Sequence, residues 1–279
     1  MTGTPLLHLG YPDMYVKLEG ENPSGSIKDR FAEHIIACAQ ESGDLQEGMT
    51  IVETSSGNTA LALARVAAEQ GYHSEFFVPA TIGKLDYTRL RHYGAKVHVV
   101  SPDDPFRPLD LIQDLCKGDG YFWPMQYFNP HAPLSYHGLA REIDEQLGNR
   151  GGISQLICAV GTGATIMGLS DALQTSNPSL RAIAVVAEQG HSVPGMRPAG
   201  ASLNYNDHVD IYDPTRPSRT ILITAQQAQE GRDALFSSRV TAGLVSGAAF
   251  YAACSLIEDV NPGKEGNTVV ILGDGKIHI

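Results

Sequence analysis

No apolar run in the sequence approaches the ~18–20 residues of a membrane-spanning helix. The opening Met1-Thr2-Gly3-Thr4-Pro5 lacks a charged region followed by an apolar stretch, so no signal peptide is expected. Cysteine is scarce. Cys38, Cys116, Cys158 and Cys254 lie far apart and form no C-x-x-C pair. Three of them sit inside apolar runs, where a thiol behaves as a small core hydrophobe. This spacing offers neither a disulfide framework nor a zinc site, and a cytoplasmic protein without a metal is expected. Positive charge is in deficit, with 20 Lys and Arg against 31 Asp and Glu, a formal charge of -11. Nucleic acid and anionic membrane both need a basic surface, so neither is expected as the main partner. A small anion remains compatible, because a local site can hold it against the global field. No internal repeat, heptad run or low-complexity tail is found.

What remains is an ordinary globular composition, 42% apolar and 18% charged, in a chain long enough for one or two domains. Short apolar runs alternate with helical patterns. Strands are expected at 15–18, 50–52, 75–78, 96–100, 155–160, 182–186 and 268–272. Helices are expected at 29–40, 60–70, 84–93, 139–147, 164–174 and 246–258, and another opens at Thr224 with capping-box spacing. Strands alternating with helices imply an α/β architecture with parallel sheets. The proline-bearing stretch 189–219 breaks this rhythm, and a long structureless segment in a compact fold is usually functional or mobile.

Three loops between a strand and a helix carry the chemistry. The first is Asn22-Pro23-Ser24-Gly25-Ser26-Ile27-Lys28-Asp29-Arg30. The helix dipole disfavours a cation at a helix start and so favours the neutral amine, the form that makes Schiff bases; a solvated surface lysine is the plainer alternative. The second is Glu53-Thr54-Ser55-Ser56-Gly57-Asn58-Thr59. Its four hydroxyls, one amide and the helix N–H groups suit a carboxylate or phosphate, against the alternative of a well-capped helix. The third, Gly161-Thr162-Gly163-Ala164-Thr165, has no Lys or Arg, so a phosphate there relies on backbone N–H groups and the helix end. It also reads as a weak dinucleotide fingerprint, with Gly168 two positions late and Glu188 near the end of the next strand.

The order and spacing of these loops resemble the fold-type II pyridoxal-phosphate enzymes of the cysteine synthase and cystathionine β-synthase group. The resemblance runs from Thr4-Pro5-Leu6 to Leu272 and includes Gln126-Tyr127-Phe128-Asn129-Pro130 and Gly243-Leu244-Val245-Ser246-Gly247-Ala248. It implies a tryptophan synthase β-like fold of two domains, each with a mostly parallel sheet covered by helices. Residues 1–21 and 130–279 would form the larger domain, and residues 22–129 the smaller. It implies pyridoxal 5'-phosphate held by Lys28, which also serves as acid and base at Cα. Asn58 would meet the ring oxygen, and Gly161, Thr162, Gly163, Ala164 and Thr165 would cradle the phosphate. Ser55, Ser56, Gly57, Asn58 and Thr59 would bind the substrate carboxylate, with Gln126 closing over it. The implied activity is β-replacement on an activated serine-type amino acid through an aminoacrylate, by a cytoplasmic homodimer of amino-acid biosynthesis.

The sequence departs from the family pattern in several places. Ser55 stands where the family has threonine, and Ala60 and Ala164 stand where it has glycine. Tyr136-His137-Gly138-Leu139-Ala140 replaces a Thr-Thr-Gly segment, which leaves His137 either a polar substrate contact or a structural histidine. The segment His191-Ser192-Val193-Pro194-Gly195-Met196 is shortened and looks like the turn of the diaminopropionate-forming relatives. Leu272-Gly273-Asp274-Gly275 replaces the usual hydroxyl at the pyridine nitrogen, and the family's C-terminal tail is lacking. Asp274 either points to that nitrogen and favours its protonated form, or faces solvent in a glycine turn. Other readings stay open: a nitrogen or carbon nucleophile, a β-eliminating lyase or dehydratase, and a NAD-binding or ligand-binding α/β protein.

Overall fold

A computed structural model of the chain describes residues 3–11, 13–55, 57–101, 107–258 and 266–275. It divides into two compact units, Met1–Ile27 with Pro130–Ile279, and Lys28–Asn129. The first unit opens with β1 (Leu6–His8) and β2 (Met14–Leu18). The second comprises α1 (Lys28–Ser42), β3 (Thr50–Thr54), α2 (Asn58–Gln70), β4 (His73–Pro79), α3 (Lys84–His92), β5 (Lys96–Val100), α4 (Arg107–Leu115) and β6 (Tyr121–Phe122). The first unit resumes with α5 (His137–Leu147), β7 (Ile153–Ala159), α6 (Ala164–Ser176), β8 (Arg181–Ala187), β9 (Arg219–Ile223), α7 (Ala225–Ser237), α8 (Leu244–Glu258) and β10 (Asn267–Leu272).

Each unit is built on its own sheet. The Lys28–Asn129 unit has four parallel strands in the order β5-β4-β3-β6. The other has six in the order β1-β2-β10-β7-β8-β9, parallel except for the β1–β2 pair. β10 lies inside its sheet, with Val270 opposite both Val16 and Ile157. Its near-continuous apolar run follows from that position, since a strand covered on both faces has no polar side to show. The two mostly parallel α/β sheets expected from the sequence are both present, and the elements read from periodicity are found with ends shifted by a few residues. Gly71 closes α2 at φ +79°, a left-handed conformation that costs glycine little. Thr224 caps α7 in a reciprocal box with Gln227.

The nine-residue helix α4 lies outside that reading, although it buries one face through Pro108, Leu109 and Ile112; the strands missed there are short or broken in pattern. β1 and β6 have three and two residues, too few for an alternation to register. β9 is an edge strand with Arg219, Thr220 and Leu222 exposed, so its apolar character is broken. Between β8 and β9 the chain forms neither helix nor strand, apart from isolated bridges such as Ala187 with Pro198. Among the described residues no helix is long and apolar enough to cross a membrane.

Two buried cations lock these units internally. In the six-stranded unit Lys17 of β2 is wholly buried. It donates to the Thr4 carbonyl, to Glu142 and to Gln146 Oε1 at 2.7 Å. In the other unit Arg65 of α2 donates to Asp29 Oδ1 at 2.8 Å, to Glu33 Oε1 at 2.6 Å and to Glu69 Oε2 at 2.6 Å. Asp29 is fully buried and directly follows Lys28, so Arg65 pins the first turn of α1 to α2. Removing one partner of a buried pair leaves an uncompensated charge at a cost of about 3–5 kcal/mol. Arg65→Ala is therefore expected to destabilise the protein by that amount in urea unfolding; a loss below about 1 kcal/mol, the level of an exposed pair, would show that this pin is not structural.

Candidate active site

Lys28 is the first residue of α1. The residue is half-buried, and its pKa falls from 10.5 to about 8. Burial is the main cause, because desolvation disfavours the charged form; the nearby Glu53 carboxylate opposes it. Lys28 is thus not a fully exposed surface lysine. Glu53 lies on β3 and is 1% exposed. Burial pushes its carboxyl up from 4.5 to about 7, against the pull of the Gln126, Thr54 and Trp123 donors and of Lys28. Glu53 Oε2 accepts from the Gln126 N–H at 3.0 Å, and its Oε1 accepts from Thr54 N–H at 2.8 Å and from Trp123 Nε1 at 3.1 Å. The next residue before Gln126, Met125, sits at φ +57°. Such strain in a non-glycine residue is held only by surrounding structure, and here it accompanies the Gln126 N–H that meets Glu53.

The second loop gathers around Gln126. Its Nε2 donates to the Thr54 carbonyl at 2.6 Å, and its Oε1 accepts from Thr59 Oγ1 at 2.7 Å. The structure therefore brings Thr54, Thr59 and Gln126 together within one unit, although 67 positions separate Thr59 from Gln126. Ser55 Oγ accepts from Gly57 N–H at 3.2 Å and from Ala60 N–H at 3.3 Å. It caps α2, as the plainer reading of this loop requires, while Asn58 stands at the first position of the helix. Ser56 lies outside the described residues.

In the other unit, the third loop joins β7 to α6. Gly163 is the N-cap residue at φ +91° and has no side chain to cap the helix. A Cβ on Gly163 would lie 2.4 Å from Tyr212 Cβ, and one on Gly161 would lie 2.6 Å from the Gly195 carbonyl oxygen. Thr162 Oγ1 accepts from Ala164 N–H at 3.4 Å, and Thr165 stands half-buried in the first turn of α6. Gly168 has a packing role: a Cβ there would meet the Pro133 carbonyl oxygen at 1.9 Å. The third glycine of the weak dinucleotide fingerprint is thus accounted for by helix-to-turn contact.

Asp274 follows β10, and its carboxyl group does not face solvent. Oδ1 accepts from Ser246 N–H at 2.8 Å and from Ser246 Oγ at 2.5 Å, and Oδ2 accepts from Val245 N–H at 3.3 Å. It anchors the start of α8. Burial raises its pKa, against those donors. His137 opens α5, and its Nε2 is buried without a hydrogen bond among the described residues.

Two groups had no role of their own in the sequence-derived site. Glu53 opened the second loop there, but its electrostatic pairing with Lys28 arises only in the folded unit. Arg197 belongs to the aperiodic 189–219 stretch, yet it is 4% exposed and donates to the Gly161 carbonyl at 3.1 Å.

The Lys28–Asn129 unit holds a half-buried amine, a buried carboxylate and a hydroxyl and amide cluster; the other unit holds a glycine loop at a helix start. Comparison with known proteins gives the same picture. A cysteine synthase of Staphylococcus aureus is 32% identical over 286 residues, covering 96% of this chain and 90% of the relative. The structure of a hydrogen sulfide-producing enzyme from Fusobacterium nucleatum is similar with a TM-score of 0.87 and 27% identity, covering 98% and 95% of the two chains. That of the cysteine synthase of Entamoeba histolytica has a TM-score of 0.86 and 29% identity, covering 99% and 86%. The model of the pyridoxal-phosphate dependent enzymes matches residues 1–274. With the family match spanning both units and the glycine loop and the helix-start lysine each present, this chain belongs to the pyridoxal-phosphate dependent enzymes.

Proposed function

We propose that this enzyme performs β-replacement on an activated serine-type amino acid, as the cysteine synthases it resembles do by name. The observation that carries the reading is Lys28, half-buried at the start of α1 with its amine shifted to about 8. A neutral amine is the nucleophile that an aldehyde-bearing cofactor requires. The side-chain-free approach to the α6 N-terminus, where a Cβ would strike Tyr212 or Gly195, suits the cofactor's phosphate. Both features support pyridoxal 5'-phosphate as the group held.

Bound to the chain, that cofactor supplies an electron sink for charge developing at the substrate Cα. Lys28 Nζ would hold the cofactor at its aldehyde carbon with loss of water, and the amine, once freed by the substrate's own amine, would accept the Cα proton. Glu53 keeps a negative charge beside Lys28. Asn58 donates its amide to the ring oxygen. Ser55, Ser56, Gly57, Asn58 and Thr59 hold the substrate carboxylate, and Gln126 exchanges its bonds to Thr59 and Thr54 for that carboxylate. The backbone of Gly161, Thr162, Gly163, Ala164 and Thr165 holds the phosphate. Asp274, with Ser246, is assigned to the pyridine-nitrogen end. The two compact units act as the two domains of a homodimer working in the cytoplasm. A second reading, β-elimination without replacement, is favoured by the likeness to the hydrogen sulfide-producing enzyme of Fusobacterium nucleatum.

Lys28→Ala is expected to abolish both the borohydride-trappable cofactor adduct and turnover of O-acetylserine or O-phosphoserine. A covalent adduct on another lysine in that variant would overturn the assignment. Analysis of the amino-acid product with and without sulfide separates replacement from elimination.

The lowered pKa of Lys28 sets a pH dependence. Only the neutral amine reacts, so the rate of cofactor uptake by the apoprotein should rise with pH to about 8 and then level off. An ordinary lysine would continue rising to ~10.4. Glu53→Gln removes the charge that favours the protonated amine, so the midpoint should move lower. Stopped-flow absorbance across the pH range measures both, and an unchanged midpoint in Glu53→Gln would remove Glu53 from this role.

Gly163→Val forces a β-branched residue into the left-handed region, a cost of roughly 1–2 kcal/mol, and places its Cβ against Tyr212. Cofactor retention on dialysis should fall at least tenfold, about 1.4 kcal/mol. Undiminished retention would count against the 161–165 loop as the phosphate site.

A further inference from the structure

The 161–165 loop contains no cation, yet a phosphate monoester carries about -1.5 to -2 charges near neutral pH. A buried cation stands behind the loop instead. Arg197 lies in the aperiodic stretch between β8 and β9, and its side chain is 2% exposed. Its Nε donates to the Gly161 carbonyl at 3.1 Å, and Nη2 to the Thr162 carbonyl at 3.4 Å and to Asp210 Oδ1 at 2.9 Å. Nη1 donates to the Ala201 carbonyl at 3.3 Å and to Asp210 Oδ2. A guanidinium has five N–H groups, and these five bonds use them all. None is left for a ligand.

The partners of Arg197 are themselves fixed. Asp210 also accepts from the N–H groups of Leu203 at 3.1 Å and Tyr212 at 3.2 Å. Burial pushes its carboxyl up, but the Arg197 and backbone donors outweigh this and hold it below the usual range. The Tyr212 ring lies 5.1 Å from the guanidinium carbon, and Tyr212 Cβ occupies the space beside Gly163 that a side chain would need.

The peptide bonds are trans. In a trans peptide the carbonyl and the following N–H point in opposite directions. Fixing the Gly161 and Thr162 carbonyls on Arg197 therefore turns the N–H groups of Thr162 and Gly163 away from it. The guanidinium also polarises those two peptides, which strengthens them as donors.

We propose that Arg197 is the positioning residue of the phosphate site: braced by Asp210 and Tyr212, it orients the Thr162 and Gly163 N–H groups toward a phosphate monoester without touching it. This rests on the reading of 161–165 as the cofactor's phosphate loop. Arg197 acts through the backbone, so its removal should penalise only ligands that carry the phosphate.

The test compares equilibrium binding of pyridoxal 5'-phosphate and of pyridoxal, which lacks the phosphate, to the apoprotein, with the 31P resonance of the bound phosphate as a second readout. Wild type should prefer the phosphorylated form. Arg197→Gln should weaken that form about 10- to 100-fold, the range seen when a group orienting a ligand through another is removed. It should leave pyridoxal binding unchanged and shift the 31P signal. Arg197→Lys should not rescue, since an ammonium cannot span two carbonyls and both oxygens of a carboxylate. Should Arg197→Gln fail to fold, Asp210→Asn loosens the same guanidinium and should reduce the preference in the same direction. Equal losses for both ligands, or unchanged binding of the phosphorylated form, would overturn the proposal. A wild type that binds both ligands equally would overturn the phosphate-loop reading itself.

Discussion

Holding a buried carboxylate, Glu53, near a half-buried amine, Lys28, is the constraint on which the Lys28–Asn129 unit depends. A lone buried ammonium is costly, and so is a lone carboxylate. Glu53 and Lys28 offset part of each other's penalty, and the remainder appears as displaced pKa values, about 7 and about 8. The surrounding bonds follow from this. Trp123, Thr54 and Gln126 all aim donors at Glu53, and Arg65 fixes Asp29 one residue beyond Lys28. The lysine thus starts a helix whose position is set by a second buried ion pair.

The six-stranded unit meets a different requirement. A glycine loop that presents only backbone gains close approach to a ligand but loses rigidity, because glycine has the most freedom to surrender. Tyr212 and Gly195 fill the space where side chains would be, and Arg197 holds two of the loop's carbonyls. Order in the loop is therefore supplied from a distant, irregular segment. The same unit uses Asp274 to secure the start of α8, where a carboxylate is favoured by the helix dipole.

The three loops, their order and the alternation of strands with helices were legible in the sequence because they are local. Near-continuous apolar runs marked β7 and β10 and a helical pattern marked α6, while hydroxyl and glycine clusters marked the loops between strands and helices. Sequence alone also located Lys28 near a helix start, and the family resemblance singled out Gln126. It could not establish that Thr59 and Gln126 are bonded, because that contact requires β3, α2 and the segment after β6 to be folded together. Nor could it place Glu53 beside Lys28, or decide between the two readings of Asp274. The desolvation that shifts these groups is a property of assembled packing. Arg197 makes the same point from the other side. It sits among prolines in a stretch with no periodicity, so its sequence context gives no sign of burial. Only tertiary structure brings it within 3.1 Å of the Gly161 carbonyl. Chain order determined which residue types were available; long-range packing decided which of them lost water and gained partners, because desolvation and hydrogen bonding act between neighbours in space.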